Sequence, residues 1–322
     1  MGLSIAMKIN FPLLALAVGA FAIGTTEFSP MGFLPEIAND LSVSIPQAGL
    51  LISAYAVGVM IGAPLMTLWL ARFPKKTALI LLMAIFTIGN VLATVAPDYM
   101  SLMGARLITS LNHGAFFGLG SVVAASVVPK DKQASAVAMM FMGLTIANIG
   151  GVPLATWLSQ NTSWRMAFAA ISILGIMTML ALWKALPQDH DVVKPNVAKE
   201  LRVLTRAPVV LALLTTVMSA GAMFALYTYI APSLHVFMQA SPQTITLMLV
   251  LIGIGFSIGN HLGGKFADLS LEKTLIGFLV LLMVMMLVFP VLAQTTVGAA
   301  IGLVIWGAAA FAVVPPLQMR VM

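Results

Sequence analysis

Long apolar runs separated by short polar loops follow one another along the whole chain. Each run has about twenty residues, the length that an α-helix needs to cross the hydrocarbon core of a bilayer. In lipid only a helix satisfies all backbone polar groups within one segment, so each run predicts a helix. Ten spans are predicted, at residues 11–34, 46–71, 77–96, 100–127, 134–158, 165–186, 208–232, 243–264, 274–293 and 297–320.

The composition indicates an all-α polytopic membrane protein. Of its 322 residues, 61% are hydrophobic and 8% are charged, which is far from the balance of a soluble domain. The net charge of +6 comes from Lys and Arg in short loops, a topology signal that argues against nucleic-acid binding. The chain has no cysteine, and its few His and acidic residues are scattered. We therefore expect no enzyme, no metal site and no cofactor.

The basic residues predict the orientation, because cytoplasmic loops are enriched in Lys and Arg. Fourteen of them fall in the N-terminus, the last residues and the loops after the even-numbered spans: Lys8, Arg72, Lys75, Lys76, Lys130, Lys132, Lys184, Lys194, Lys199, Arg202, Arg206, Lys265, Lys273 and Arg320. In the alternate loops Arg165 is the one basic residue, and Arg106 lies inside a span. Both ends of this chain are predicted to be cytoplasmic, in a multi-pass protein of a bacterial inner membrane.

An internal repeat relates the two parts of the chain. The glycine pair Gly58 and Gly62 of span 2 recurs 197 residues later as Gly255 and Gly259 of span 8. The same displacement maps spans 1–4 onto spans 7–10, although a short glycine-rich pattern can also match itself by chance. We interpret both pairs as sites of close helix packing.

The repeat predicts a domain organisation of two halves. Residues 1–186 form a six-helix half, 187–207 a charged cytoplasmic loop, and 208–322 a second half with four spans. Counterparts of spans 5 and 6 would fall beyond residue 322, so a chain truncated at its C-terminus is expected. A fragment that does not transport is the corresponding alternative.

Several motifs resemble those of one transporter superfamily. They are Leu34-Pro35-x-Ile-Ala-x-Asp40-Leu41 after span 1, Thr67-x-x-x-Ala71-Arg72-Phe73-Pro74-Lys75-Lys76 between spans 2 and 3, the Ala147-Asn148-x-Gly150-Gly151-Val-Pro153 run of span 5, Trp164-Arg165-x-x-Phe168, and Gly264-Lys265-Phe266-Ala267-Asp268 after span 8. With Thr26-Glu27-Phe28 and Asn112-His113-Gly114, they resemble the major facilitator superfamily. Within it, the chain is most similar to the twelve-span drug:proton antiporters of the arabinose- and nucleoside-efflux-like branch.

The resemblance implies a major facilitator fold in which spans 1, 4, 7 and 10 line a central cavity. It also implies conformational roles for Gly150, Gly151 and Pro153 of span 5. The loop between spans 2 and 3 departs from the pattern of the superfamily, because Ala71 replaces its usual Asp. Asp268 in the second-half copy keeps the acid, so the charge contact between helices is expected there alone.

Glu27 is the central candidate for chemistry, since it is a carboxylate inside an apolar span. Such a group is costly in lipid and indicates a proton or substrate pathway. Arg106 lies at a similar depth in span 4 and is the expected charge partner, with a static packing pair as the alternative. His113, two turns beyond Arg106, is a possible second titrating group or a structural histidine.

The substrate cavity is expected to use amides and amphipathic aromatics from several spans. The candidates are Asn112, Asn148, Tyr227, Tyr229 and Trp306. Helix–helix hydrogen bonding or interfacial anchoring are alternative roles for these residues. We hypothesise a monomeric, proton-coupled exporter of a small organic solute, with the proton gradient as its energy source. Sugars, nucleosides and amphipathic drugs all remain open, as does passive facilitation with a structural Glu27.

Overall fold

The computed structural model describes residues 10–129, 132–187, 206–267 and 269–321. Its helices are Phe11–Gly32, Leu34–Asp40, Ile45–Leu70, Lys75–Thr94, Tyr99–Ser110, His113–Ser126, Gln133–Ile146, Val152–Asn161, Trp164–Ala185, Ala207–Tyr227, Ile230–Met238, Pro242–Ala267, Leu271–Leu292, Thr296–Ala312 and Val314–Val321. A π-helical turn, Ala147–Gly151, joins the two helices of span 5. Within these residues, ten helical segments are long and apolar enough to cross a membrane, as predicted.

Span 1 ends earlier than predicted, at Gly32 rather than residue 34. The chain bends at Phe33 and continues as the short helix Leu34–Asp40, whose first turn contains Pro35. Proline suits the first turn of a helix because the amide there has no intrahelical acceptor. Span 7 likewise ends at Tyr227 and is followed by the separate helix Ile230–Met238.

Span 4 extends over Tyr99–Ser126, as predicted, but its helix is irregular at Leu111 and Asn112. The Ser110 hydroxyl donates to the Leu107 carbonyl at 2.7 Å, and the Leu111 amide bonds to the Ile108 carbonyl at 3.3 Å. The hydroxyl therefore competes for the carbonyl that an α-helix would offer to the Leu111 amide. The second helix of span 4 begins at His113.

The π-helical turn places the predicted Gly/Pro motif of span 5 at a local irregularity. Pro153 has no backbone N–H to donate, which favours a widened turn before it. Gly151 is buried against span 1, where an added Cβ would approach the Thr25 hydroxyl to 2.3 Å. Gly150 is exposed, with no atom of a neighbouring described residue within 4 Å of such a Cβ.

The repeated glycine pairs make equivalent helix contacts. A Cβ on Gly62 would lie 2.9 Å from the Cα of Leu111, and one on Gly259 would lie 2.7 Å from the Cα of Ala308. Ala308 follows Leu111 by the same 197 residues that separate the two glycines. Spans 2 and 4 thus pack as spans 8 and 10 do, as expected from a structural repeat. Asp268 lies outside the described residues, as does most of the loop between the halves.

The two halves contact each other through spans 5 and 8 and at the ends predicted to be periplasmic. Gly253 of span 8 approaches the backbone of Asn148 so closely that a Cβ would lie 2.5 Å from its carbonyl oxygen. Nearer that end, the Thr246 hydroxyl donates to Gln160 Oε1 at 3.1 Å. With the predicted orientation, these contacts hold the two halves together at the periplasmic end.

Candidate functional site

A cavity of about 370 Å³ lies between spans 1, 2 and 7. It is lined by Glu27, Ile52, Ser53, Tyr55, Ala56, Val59, Ala220, Gly221, Phe224 and Thr228. Glu27 is the charged residue of this wall, and most of the others are apolar. A largely apolar pocket with a few polar groups is the usual form of a small-molecule site.

Span 1 presents Glu27 to this cavity while its neighbours turn inward. Thr26 and Phe28 are buried, whereas the Glu27 side chain remains 17% exposed. The nearby hydroxyls of Thr25 and Ser29 donate to carbonyls four residues earlier in the same helix, those of Phe21 and Thr25. Glu27 is therefore the residue of this turn whose polar group faces the cavity.

His113 is the basic side chain nearest to the Glu27 carboxylate. Its Nε2 lies 3.9 Å from Glu27 Oε2, and its Nδ1 lies 3.1 Å from the Tyr55 hydroxyl. The His113 ring also packs against Phe117, with 5.2 Å between ring centroids. His113 is the first residue of the second helix of span 4, and its ring lies close to both span 1 and span 2.

Arg106 lies in the same cluster but does not pair directly with Glu27. Its Nη1 donates to the Thr26 carbonyl at 2.8 Å, and its Cζ lies 4.2 Å from the centroid of the Tyr55 ring. No nitrogen of Arg106 is within 4 Å of a carboxylate oxygen of a described residue. The side chain is 1% exposed, and its Nε and Nη2 lack hydrogen-bond partners within the described part of the chain. The aromatic face and the backbone carbonyl replace the expected charge partner.

Tyr55 is the main site residue that the sequence analysis missed. It contacts His113 through its hydroxyl and Arg106 through its ring, and it lines the cavity beside Glu27. The network extends to span 3, because the Thr26 hydroxyl donates to Asn90 Oδ1 at 2.7 Å. A signal was present in the sequence, since Tyr55 and Asn90 are polar groups inside apolar spans.

The two candidate amides do not line the cavity. Asn112 is fully buried against Met83 of span 3, with 4.0 Å between Nδ2 and the sulfur. It is one residue from His113, about 100° around a helix, so the two side chains face different neighbours. Asn148 lies in the π-helical turn, where its Nδ2 donates to the Leu144 carbonyl at 3.0 Å.

Tyr227 and Trp306 belong to a buried aromatic cluster between the halves, rather than to the cavity wall. Tyr227 packs against Phe28, Phe256 and Trp306, with ring centroids 5.6, 5.5 and 6.1 Å away. Its hydroxyl donates to Asn148 Oδ1 at 3.4 Å, so it links the second half to span 5. The indole N–H of Trp306 has no partner among the described residues.

Tyr229 lies apart from this cluster, in the connection between span 7 and the next helix. It packs against Gly49 near the start of span 2, where an added Cβ would approach the Tyr229 hydroxyl to 2.5 Å. The sequence-predicted cavity residues thus separate into three places in the structure. Glu27, Arg106 and His113, the predicted proton-coupling residues, are brought together in one cluster beside the cavity.

The two superfamily-like motifs that contain Asp40 and Trp164 contact each other at the ends of their spans. Asp40 Oδ2 accepts hydrogen bonds from Trp164 Nε1, at 3.0 Å, and from Arg165 Nη1. Arg165 Nη2 also donates to the Ala96 carbonyl at 2.9 Å. The Arg165 hydrogen bond holds the pKa of Asp40 below its ordinary value. This cluster ties the short helix after span 1 to the start of span 6.

Comparison with known proteins gives concordant results. The sequence model described as Major Facilitator Superfamily matches residues 16–322. The inner membrane transport protein YdhP of Escherichia coli K12 is 67% identical over 316 residues, which cover 98% of this chain and 81% of that protein. A chloramphenicol resistance protein of Streptomyces lividans is 30% identical, covering 97% and 80%.

A solved structure is similar in fold over almost the whole chain. It is the inward-facing, unoccupied bacterial homologue of the human lysosomal transporter Spinster, with a TM-score of 0.75 and 18% identity. The match covers 97% of this chain and 75% of that one. At this identity the likeness concerns the fold alone, and it agrees with the helical architecture described above.

Proposed function

Because this chain belongs to the major facilitator superfamily of membrane transporters, we propose that it exports a small organic solute in exchange for protons. The proposal places it in the inner membrane, working by alternating access as a monomer without a cofactor. Glu27 binds the proton, and the proton gradient supplies the energy.

One observation carries the proposal: the Glu27 carboxylate lies on the wall of a cavity between spans 1, 2 and 7. A carboxylate in a membrane span is tolerated where it faces protein or water, and it marks a pathway for protons or substrate. Arg106 does not neutralise it through a direct ion pair, so its oxygens remain available. A proton and a solute that enter this cavity therefore meet at the same group.

The cavity wall favours an amphipathic solute among the classes that the sequence left open. Phe224, Ile52 and Val59 offer ring and aliphatic surface, whereas Ser53 and Thr228 are the hydroxyls beside Glu27 and Tyr55. A sugar needs many hydrogen-bond partners to replace its hydration, because each of its hydroxyls that stays unpaired in a site is costly. This cavity wall offers few such partners. The 30% identity to a chloramphenicol resistance protein supports the same direction.

Proton movement in everted membrane vesicles tests the proposal. The vesicles carry an imposed pH gradient, and sugars, nucleosides or chloramphenicol are added to the parent chain, Glu27→Gln and Glu272→Gln. Glu272 is an exposed carboxylate in the first turn of span 9 and serves as the matched control. We expect a solute to collapse the gradient with the parent and with Glu272→Gln, and not with Glu27→Gln.

The competing function is passive facilitation, in which Glu27 has a structural role. In that case the solute crosses without moving protons, and Glu27→Gln transports it as the parent does. Equal gradient collapse by the parent and Glu27→Gln would also contradict the proposal, because protons would then bypass the carboxylate. Direct measurement of solute uptake in the same vesicles separates the two results.

A further inference from the structure

We propose that Tyr55 is a positioning residue for proton exchange: its hydroxyl holds the His113 imidazole in the tautomer whose Nε2–H faces Glu27. The imidazole then acts as a hydrogen-bond donor to the Glu27 carboxylate once the proton has left. The transport part of this inference rests on the proposed function, whereas the tautomer is a property of the folded chain.

The contact between Tyr55 and His113 determines which nitrogen carries the proton. The hydroxyl lies 3.1 Å from Nδ1 and makes no other hydrogen bond to a described residue. A phenol can donate its one proton only to an acceptor, and a neutral imidazole has one donor and one acceptor nitrogen. If Nδ1 carried the hydrogen, the Tyr55 O–H would have no acceptor among the described residues, which is costly because Tyr55 is only 3% exposed. Nδ1 is therefore the acceptor, and Nε2 carries the hydrogen.

Nε2 is the nitrogen that faces Glu27. It lies 3.9 Å from Oε2, which is longer than a direct hydrogen bond and short enough for a small side-chain movement or one bridging water. A donor at this distance stabilises the charged carboxylate more than the protonated acid. The arrangement therefore favours proton release from Glu27, without requiring His113 itself to become charged.

The Tyr55 ring has a second role on its other side, where it covers Arg106. The guanidinium carbon lies 4.2 Å from the ring centroid, and Nη1 is held by the Thr26 carbonyl. The ring thus keeps a full positive charge beside the site without letting it bind the carboxylate. Within the described chain, the ionisable groups around Glu27 are Tyr55 from span 2, Arg106 and His113 from span 4, and Tyr227 from span 7.

Nitrogen-15 spectra of the histidine-labelled protein test the tautomer directly. The chain has four histidines, and His113→Gln identifies the His113 signals by their loss. At neutral pH we expect the parent to show an unprotonated Nδ1 and a protonated Nε2. Tyr55→Phe is expected to give a mixture of both tautomers. A protonated Nδ1 in the parent, or identical spectra of the parent and Tyr55→Phe, would overturn the proposal.

Tyr99→Phe is the matched control for removing a tyrosine hydroxyl. That hydroxyl donates to the Gln47 carbonyl at 2.7 Å, at the predicted periplasmic end and away from the cavity. We expect its histidine spectra to equal those of the parent. A tautomer change in Tyr99→Phe equal to that in Tyr55→Phe would show a general loss of structure and would contradict a specific role of Tyr55.

The pH profile of solute-driven proton exchange tests the consequence. His113→Asn keeps an amide near the Nδ1 position and loses the donor towards Glu27, so its midpoint should move about one pH unit upward. Tyr55→Phe should move it in the same direction by roughly half as much, since part of the imidazole keeps Nε2–H. His113→Gln places its amide group near the position that Nε2 occupies in the parent, so the midpoint of its pH profile should lie closer to that of the parent.

Two failures are distinguishable. If Glu27→Gln does not affect proton exchange, the proposed function fails, and the spectra still decide whether Tyr55 sets the tautomer. If Glu27→Gln abolishes exchange but the profiles of Tyr55→Phe and the parent coincide, the proposed function stands and the positioning role of Tyr55 is refuted.

Discussion

A bulky side chain at Gly49 should drive the two halves apart at the predicted periplasmic end. Gly49 lies near the start of span 2 and faces Tyr229 of the second half. An added Cβ would lie 2.5 Å from the Tyr229 hydroxyl oxygen and 2.9 Å from Cζ. Gly49→Leu therefore requires the ring to leave its place, and we expect the substitution to destabilise the arrangement closed at this end.

The expected magnitude follows from the cost of overpacking. Forcing extra carbons into a packed contact costs about 1–3 kcal/mol. If this cost falls on the closed state alone, the ratio of the two access states changes by about five- to 150-fold. The change should favour the state that is open towards the predicted periplasm.

The chain has no cysteine, so one introduced thiol reports access without background. Ser53 lines the cavity and is exposed, and Ser53→Cys is a nearly isosteric substitution. A membrane-impermeant thiol reagent is applied to right-side-out and to everted vesicles. We expect Gly49→Leu to slow labelling from the predicted cytoplasmic face and to accelerate it from the opposite face.

A double substitution separates this mechanism from general damage. In the double variant Gly49→Leu with Tyr229→Ala, the leucine occupies the volume vacated by the tyrosine ring. Because residues in contact have coupling energies of about 0.5–3 kcal/mol, we expect the ratio of labelling from the two faces to return to within about threefold of the parent value. Gly104→Leu is the control, because nothing described lies within 4 Å of a Cβ at that position. An unchanged ratio in Gly49→Leu, or an equal shift in Gly104→Leu, would refute the reasoning.

Two further predictions concern stability, measured as the thermal midpoint of the purified protein in detergent. Asp40→Asn should lower the midpoint slightly, by the equivalent of at most about 1 kcal/mol, because the Asp40–Arg165 pair is exposed to solvent. Because Arg165 lowers the pKa of Asp40 in the folded protein, the ion pair stabilises the fold fully above about pH 4, the pKa of an unfolded Asp, and this stabilisation is lost as the pH falls through the lowered pKa. A difference in thermal midpoint between Asp40→Asn and the parent that does not shrink between pH 5 and pH 3 would argue against this role. Gly259→Ala places a Cβ 2.1 Å from the Ala308 carbonyl oxygen and should cost about 1–3 kcal/mol. Gly264→Ala on the same helix has open space and should cost nothing, so equal losses in the two variants would contradict the packing argument.

The spans were predictable because hydrophobic length is a local property of the sequence. All ten predicted spans recur in the structure, and the glycine repeat indicated two packing contacts that share one register. The interruptions inside spans were harder to predict. The irregular turn before His113 depends on a competition between the Ser110 hydroxyl and a backbone amide for one carbonyl, and the pattern of hydrophobic residues contains no information about it.

The candidate site was partly predictable, since few ionisable groups occur in apolar spans. Glu27, Arg106 and His113 were selected on that ground, and the fold brings them into one cluster. Their pairing was not predictable from depth alone. Depth along a helix supplies one coordinate, whereas rotation about the axis decides which neighbour a side chain meets. Arg106 consequently meets Thr26 and Tyr55 instead of Glu27.

Local patterns identify an α-helical membrane protein, with ten spans among the residues that the structure describes, because bilayer thickness and backbone hydrogen bonding make a helix of any long apolar run. The recurrence of a glycine pair after 197 residues indicates the internal repeat. Which polar groups face the cavity depends instead on how the helices pack. Asn112 and Trp306 are buried among packed helices, while Tyr55 stands between Arg106, His113 and the cavity. Each side chain takes the partner that helix packing places within reach, and that partner comes from a distant part of the chain.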